Sequence, residues 1–404
     1  MNDQAGRPKT HSRTPYTLVS TNDCFYAMME RIRGARRLAI DTEADSLYHY
    51  FEKVCLLQLS TDSETFIVDP LTVTVVGKLA PLMSDPSVEK VFHAAGYDVF
   101  CLRRDFNFTF VNIFDTHLAG SLLGYEFLGL GAMMETVLGV HHSKDCQRDD
   151  WSRRPLLPEQ LEYAAMDTHH LLNLRDALER ELRLKGRLEW ALEEFAAAAA
   201  TERLEKEFDP EGFRRIKGFL ALDVRKRMAL RALYLFRDEA ARKLDAPPFK
   251  VMNNSVLADL AQRPPLSAQE LFKRPGVSFR VARKFGVEIV NLIAAAGDGD
   301  PAVLYRPPRP VVKHPSLAAR NSLELLKKWR QEKAEELKLP VGVIFPANLL
   351  ESLAAAPPAN MDEFMAVPGM RRWRAREFGC EVLQTLQTFH DADGGQTAES
   401  GEQI

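Results

Sequence analysis

Residues 36–46 read RRLAIDTEADS, and the fold turns on how this stretch is understood. The apolar run Leu38-Ala39-Ile40 has the composition of a buried strand, yet it leads without a break into Asp41, Thr42 and Glu43. Alternate residues of a strand share one face, about 6–7 Å apart. Asp41 and Glu43 therefore project together, and Ile40 and Thr42 face away. Two carboxylates at that spacing repel, and one is normally driven to keep its proton. A bound divalent cation removes the conflict. The alternative is that the strand simply ends here and the acids meet solvent; the pair alone does not choose.

Outward from this stretch, four more short runs rich in Val, Ile and Phe read as strands: VCLLQLS (54–60), TFIVD (65–69), KVFHAA (90–95) and VNIFD (111–115). The first three runs of the five lie close together, which suits an antiparallel meander better than helical crossovers. Helical patterns intervene at 70–85, at 96–106 and in a long stretch from Pro158 towards Glu207. The reading is an α/β domain with a mixed sheet over residues 15–205, behind a disordered tail at 1–14. Beyond Phe208 the strand signals stop. Helical segments at 208–296 and 316–390 flank a linker at 297–315 rich in proline and glycine, and a polar tail is expected over 391–404.

The helical part repeats itself. With an offset of 93 residues and no gap, Phe236 falls on Trp329, Leu244 on Leu337, Pro247 on Pro340, Leu257 on Leu350, and Pro275-Gly276 on Pro368-Gly369. Each copy is long enough to be a small helical domain with its own core.

Further acids bear on the opening question. HAAGYDVF places Asp98 just past an apolar run, and LEYAAMDTHH places Tyr163 and Asp167 four apart. Residues at i and i+4 share a helix face, so this phenol and carboxylate can look into one site. Asp115, just before a helical run, reads as an N-cap. The ordered set LAIDTEAD, HAAGYD and YAAMD resembles the three motifs of the DEDD 3′→5′ exonucleases, and Tyr163-x-x-x-Asp167 matches their tyrosine subclass. The segment DCQRDDWSRRPLLPEQLEYAAMD is similar to ribonuclease D in particular, with Asp149 where many relatives carry serine. The repeated module resembles the helicase-and-ribonuclease-D C-terminal (HRDC) domain.

The resemblance implies a ribonuclease H-like exonuclease domain with a mixed sheet, followed by two small all-α HRDC-like domains. It implies a metal-dependent exoribonuclease that releases 5′-mononucleotides from RNA with a free 3′ end, such as tRNA precursors or other structured RNA. Two divalent ions, Mg²⁺ or Mn²⁺, would be held by Asp41, Glu43, Asp98 and Asp167. Asp41 would bridge them, Glu43 and Asp167 would hold the ion that carries the nucleophilic water, and Asp98 would support the second. Tyr163 would orient that water, since a phenol with a pKa near 10 is a poor full base. A DNA exonuclease built on the same acids, and a nucleic-acid-binding protein with an inactive nuclease fold, are the alternatives. The intact acid set argues against the second.

Other features carry less. His141-His142 reads as loop or surface, because adjacent side chains diverge. His169 and His170 are turned away from the face of Asp167. His93 ends a strand ahead of Asp98 and is a candidate for lining the cleft. GLGAMM (129–134) has methionine where a dinucleotide fingerprint needs its third glycine, and no phosphate-loop lysine motif occurs, so no nucleotide cofactor is expected. Two basic stretches at equivalent places in the repeat combine cations with an aromatic: Lys273, Arg274, Arg280, Arg283 and Lys284 around Phe279, and Arg371, Arg372, Arg374 and Arg376 around Trp373. Such stretches suit phosphate contact and base stacking. The net charge of −3 makes no argument for an acidic partner. Five scattered cysteines without a C-x-x-C pair fit neither a disulfide framework nor a zinc knuckle, and suit a cytoplasmic protein. No apolar run approaches the ~20 residues needed to cross a membrane.

Overall fold

The computed structural model describes residues 14–143, 145–200, 207–297, 300–305 and 316–398. Strands β1 (Thr17–Val19), β2 (Arg37–Ala44), β3 (Val54–Ser60), β4 (Thr65–Val68), β5 (Glu89–Phe92) and β6 (Ile113–Asp115) form one sheet in the order β1-β4-β3-β2-β5-β6. The closely spaced β2, β3 and β4 are antiparallel. β5 and β6 extend the other edge of β2 in parallel, and β1 pairs in parallel with β4. The sheet is therefore mixed. β1 was not foreseen, because three residues are too few for a periodic signal. β3 and β4 are buried at every position, as their mostly apolar sequences lead one to expect, with Gln58, Ser60 and Thr65 as the buried polar exceptions.

Helices α1 (Asn22–Ile32), α2 (Ala80–Ser84), α3 (Gly96–Phe106), α4 (Thr116–Leu123) and α5 (Leu130–Leu138) are interleaved with or follow the strands. Over 70–85 the expected helix shrinks to a 3-10 turn at Val76–Leu79 and the five-residue α2. The β-branched run Thr72-Val73-Thr74-Val75 disfavours helix. The long helical stretch from Pro158 is three helices: α6 (Pro158–His169), α7 (Leu171–Leu184) and α8 (Leu188–Ala200). Gly186, with φ +67°, turns the chain between the last two.

Asp115 caps α4, accepting from the backbone N–H groups of His117 (2.9 Å) and Leu118 (3.1 Å). It also accepts from Ala94 (3.0 Å) and Ala95 (2.9 Å), which ties down the turn between β5 and α3. That turn includes Ala94 at φ +62°, an unfavourable value for alanine that these bonds hold.

The two helical modules superimpose element by element at the 93-residue offset. Helices α9 to α13 span Val224–Leu244, Pro248–Val251, Asn254–Gln262, Ala268–Phe272 and Phe279–Gly297. Helices α14 to α18 span Leu317–Leu337, Val341–Ile344, Ala347–Ala355, Met361–Met365 and Arg372–Ala398. Buried Arg237 donates to the Met252 carbonyl (3.1 Å), and Arg330 donates to the equivalent Phe345 carbonyl (2.9 Å). Gly276 and Gly369 share a positive φ, +83° and +87°. The polar stretch from Asp391, read as a disordered tail, continues α18 to Ala398, and residues 399–404 lie outside the described residues. So do residues 1–13, and 298–299 and 306–315 of the expected linker. Among the described residues no helix is long and apolar enough to cross a membrane.

The copies dock differently. The first keeps its own core around Leu230, Leu257 and Ile289. It grips the β2–β3 loop: Asp245 accepts from His49 Nδ1 (2.7 Å) and from the backbone N–H groups of Tyr50 (3.1 Å) and Phe51 (3.3 Å). The second shares one continuous core with the α4, α5, α7 and α8 side of the sheet. There Trp373, fully buried, stacks on Trp190 at 4.4 Å between ring centroids. Gly124, with φ +86°, ends α4 where a Cβ would lie 2.3 Å from the Lys338 carbonyl oxygen, so only glycine allows this approach.

Trp373→Ala is expected to lower the unfolding midpoint of the full chain, with a loss of about 3–5 kcal/mol, the usual cost of deleting a buried tryptophan side chain. Thermal or urea unfolding checks this; an unchanged midpoint would show that the stack contributes nothing to docking.

Candidate active site

β2 carries Asp41 and Glu43 to the middle of the sheet, opposite Gln58 and Leu56 of β3, and its register with β3 becomes irregular after Glu43. α6 crosses beside these strands and brings Asp167. Carboxylate oxygens of Asp41, Glu43 and Asp167 lie within 4.8 Å of one another, as the alternation along β2 requires. Asp98 enters from the first turn of α3 and is buried. Its Oδ1 accepts from the Thr42 hydroxyl at 2.5 Å. Thr42, read as facing away from the acids, thus anchors one of them.

Burial is the main force on every acid here. It holds Asp41 well above the usual carboxylate range, and the charges of Asp98, Asp167 and Glu43 push further the same way. Glu43 is raised by burial, then by Asp167, Asp98 and Asp149. Asp98 is raised by burial against the opposing bond from Thr42, and Asp167 by burial against a bond from His142. Four acids in this state cannot all ionise without compensating positive charge. Asp167 Oδ2 is buried without a hydrogen-bond partner. An all-carboxylate donor set with a spare buried oxygen fits a hard divalent cation such as Mg²⁺ or Mn²⁺.

Tyr163 lies one turn before Asp167 on α6, packed between His142 (5.2 Å between centroids) and Trp151 (6.1 Å). Burial and the neighbouring acids push its hydroxyl far above 10. It keeps its proton and is a hydroxyl able to donate a hydrogen bond. Sequence reasoning missed His142. His141 is exposed, as expected, but the His142 side chain is 6% exposed and its Nε2 lies 2.7 Å from Asp167 Oδ1. Nothing in the local pattern marks it, because its partner is 25 residues away. His169 bonds Thr65 (2.9 Å) and stays out of the acid cluster.

Several proposed nucleic-acid contacts are already engaged. His93 bonds Thr116 Oγ1 (2.9 Å) and packs on His117. Burial pushes it down to about 4, so it is neutral and offers no charge to a phosphate. Arg274 pairs with Glu270 (2.8 Å) and donates to the Arg263 carbonyl (2.9 Å). In the second module the basic stretch meets two acids of α8. Glu194 takes Arg374 (2.8 Å), the Trp373 indole N–H (3.0 Å) and Arg371 (3.4 Å). Glu193 takes the Arg372 backbone N–H (2.8 Å) and lies 3.6 Å from Arg376. Arg371, Trp373 and Arg374 therefore hold the module to the nuclease unit, a role invisible until α8 is brought alongside. Lys273, Phe279, Arg280, Arg283 and Lys284 of the first module are exposed, beside an apolar groove that includes Phe272 and Val287.

This geometry agrees with what the chain is similar to. Residues 16–183 match the family described as 3'-5' exonuclease, and residues 226–293 and 320–386 each match the HRDC domain. Ribonuclease D of Pseudomonas paraeruginosa is 30% identical over 357 residues, 87% of this chain and 92% of that protein. Ribonuclease D of Gluconacetobacter diazotrophicus is 29% identical over 91% of each chain. The crystal structure of Escherichia coli ribonuclease D, described as an exoribonuclease involved in structured RNA processing, superposes with a TM-score of 0.64 at 25% identity, covering 93% of this chain and 99% of that one. With the nuclease unit and both helical modules matched, and ribonuclease D relatives aligned over 87–91% of the chain, the chain belongs to the ribonuclease D family of 3′→5′ exoribonucleases.

Proposed function

We propose that this chain trims the 3′ ends of structured RNA, tRNA precursors among them, in the cytoplasm, with Asp41, Glu43, Asp98, Tyr163 and Asp167 as its catalytic set. The observation that carries this reading is the convergence of the Asp41, Glu43 and Asp167 carboxylates within 4.8 Å beside Tyr163. Asp41, Glu43 and Asp167 would hold a divalent cation, and Asp98, tied to Thr42, would help hold a second. Bound Mg²⁺ or Mn²⁺ ions would supply an activated water and neutralise charge on the phosphate and the leaving oxygen.

The residues of the chain do the rest. Tyr163 donates from its hydroxyl and orients the attacking water, since its raised pKa bars it from removing the proton. Trp151 and His142 pack their rings beside the phenol and restrict its movement. In the reaction the water oxygen bonds to phosphorus and the bond to the 3′ oxygen of the preceding nucleotide breaks. That oxygen takes up a proton, which leaves a shortened RNA and a 5′-mononucleotide. The exposed cations of the first module, Lys273, Arg280, Arg283 and Lys284, with Phe279 as a stacking surface, would hold RNA beyond the last nucleotides.

Asp41→Asn or Asp167→Asn is expected to reduce turnover on a 3′-hydroxyl RNA to background, with an unchanged circular dichroism spectrum. Near-normal turnover in either variant would remove it from the catalytic set. Tyr163→Phe is expected to lower kcat by about 10²-fold or more with little change in KM, because only the hydroxyl is lost. Single-turnover rates check this, and an unchanged rate would leave Tyr163 as a packing residue.

Binding should depend on the first module more than on the second. Replacing Lys273, Arg280, Arg283 and Lys284 with Ala should make the plot of log affinity against log salt shallower, by about 0.7 for each single-strand phosphate no longer neutralised. Replacing Arg371 and Arg374 should instead lower the unfolding midpoint and leave the slope unchanged. Salt titrations with catalysis blocked by Asp41→Asn separate the two, and equal slopes throughout would exclude the first-module patch from the RNA path.

A further inference from the structure

We propose that His142 is a positioning residue for Asp167, holding one carboxylate oxygen so that the other is presented to a divalent cation. The inference rests on the reading of the acid cluster as a cation site. His142 is not one of the acids, and it reaches the cluster from the loop after α5.

An ionised carboxylate only accepts hydrogen bonds, so the 2.7 Å contact has His142 Nε2–H donating to Asp167 Oδ1. Oδ2 of the same group has no partner among the described residues and is the oxygen left with capacity for a ligand bond. The terminal torsion of an aspartate is soft and roughly two-fold. Asp41 and Glu43 repel Asp167, and without a tether the easy response is for the carboxylate to swing away from them. The bond from His142 opposes that rotation.

The histidine is itself held in place. Its side chain is 6% exposed, as is that of Asp167. Its ring lies against Tyr163, 5.2 Å between centroids and tilted by 34°, so one imidazole braces two residues a turn apart on α6. Its backbone is seated on α5 at Gly131, where an added Cβ would lie 3.0 Å from the His142 carbonyl oxygen. The glycine that fails as part of a dinucleotide fingerprint thus has a use of another kind, letting the loop come close enough for His142 to reach α6. Partners that orient a metal-binding side chain from behind typically contribute 10–100-fold in metal affinity.

The test is Mn²⁺ binding without RNA, followed by the rise in thermal midpoint and by the electron paramagnetic resonance signal of free Mn²⁺, in the full-length chain. His142→Ala is expected to raise the half-saturating Mn²⁺ concentration by about 10-fold or more. His142→Gln, whose side-chain N–H can donate to the same oxygen, should recover most of that loss. Gly131→Ala, which displaces the loop without touching the imidazole, should weaken binding in the same direction. Wild-type affinity in His142→Ala would overturn the positioning role. Equal weakening in His142→Gln and His142→Ala would overturn it too, since the hydrogen bond would then not be the agent. A wild-type chain with no response to Mn²⁺ would overturn the cation reading itself, and the inference with it.

Discussion

The mutual repulsion of clustered, largely desolvated carboxylates is the constraint around which the nuclease unit is arranged. Asp41, Glu43 and Asp167 bring their oxygens within 4.8 Å in a region where burial alone already disfavours their charge. Left to itself, such a cluster would splay apart or protonate. The fold prevents the first by drawing the acids from separate rigid elements, each anchored elsewhere. β2 is paired on both sides, by β3 and by β5. α3 starts from a turn that Asp115 holds by two backbone N–H bonds, and Asp98 is tied to Thr42. α6 is fixed through Thr168, whose hydroxyl shares a hydrogen bond with Ser60 of β3 (2.8 Å), and through the His142 bond to Asp167. The remaining imbalance of charge is what a divalent cation resolves.

Beyond the nuclease unit, one sequence pattern serves two ends. Both helical modules keep the same helices, the same positive-φ glycine and an equivalent arginine bound to a backbone carbonyl. Their basic stretches overlap at the 93-residue offset, with Arg283 falling on Arg376, but the residues differ where it matters. Arg280 of the first module corresponds to Trp373 of the second, and Val281 to Arg374. The Trp-Arg pair fits the Trp190 face and the Glu193-Glu194 pair of α8, which converts a surface that could meet RNA into an internal seam. The first module docks on the β2–β3 loop through Asp245, which accepts from His49, Tyr50 and Phe51, and through Tyr50, whose hydroxyl donates to Asp238 and accepts from Arg242, and it leaves Arg280, Arg283 and Lys284 in solvent. Repetition of a fold therefore did not mean repetition of a role.

The β2–β3 loop connects these themes. It leaves the strand that carries Asp41 and Glu43, is gripped by Asp245 of the first module, and reaches the loop ahead of α6. His49 Nε2 lies 3.0 Å from Ser152 Oγ, and the Tyr48 hydroxyl donates to the Arg148 carbonyl at 2.7 Å. The loop at 146–152 in turn supplies Trp151 to the side of Tyr163. The helical part is thus in mechanical contact with the walls of the acid cluster.

By itself, the sequence determined whatever is local or periodic. The alternation along LAIDTE fixes which face Asp41 and Glu43 share, because the strand repeat is two residues. The four-residue step from Tyr163 to Asp167 places both on one helix face. The 93-residue repeat, with its matched prolines and glycines, defines two like modules before any coordinate is known. What only the tertiary structure decided are pairings between residues far apart in the chain. His142 with Asp167, Thr42 with Asp98, and Trp373 and Arg374 with α8 each join segments that no local pattern relates. A basic residue in a sequence looks the same whether it will face a phosphate or a glutamate. Which it meets depends on what the folded chain brings within about 3 Å, the reach of a hydrogen bond.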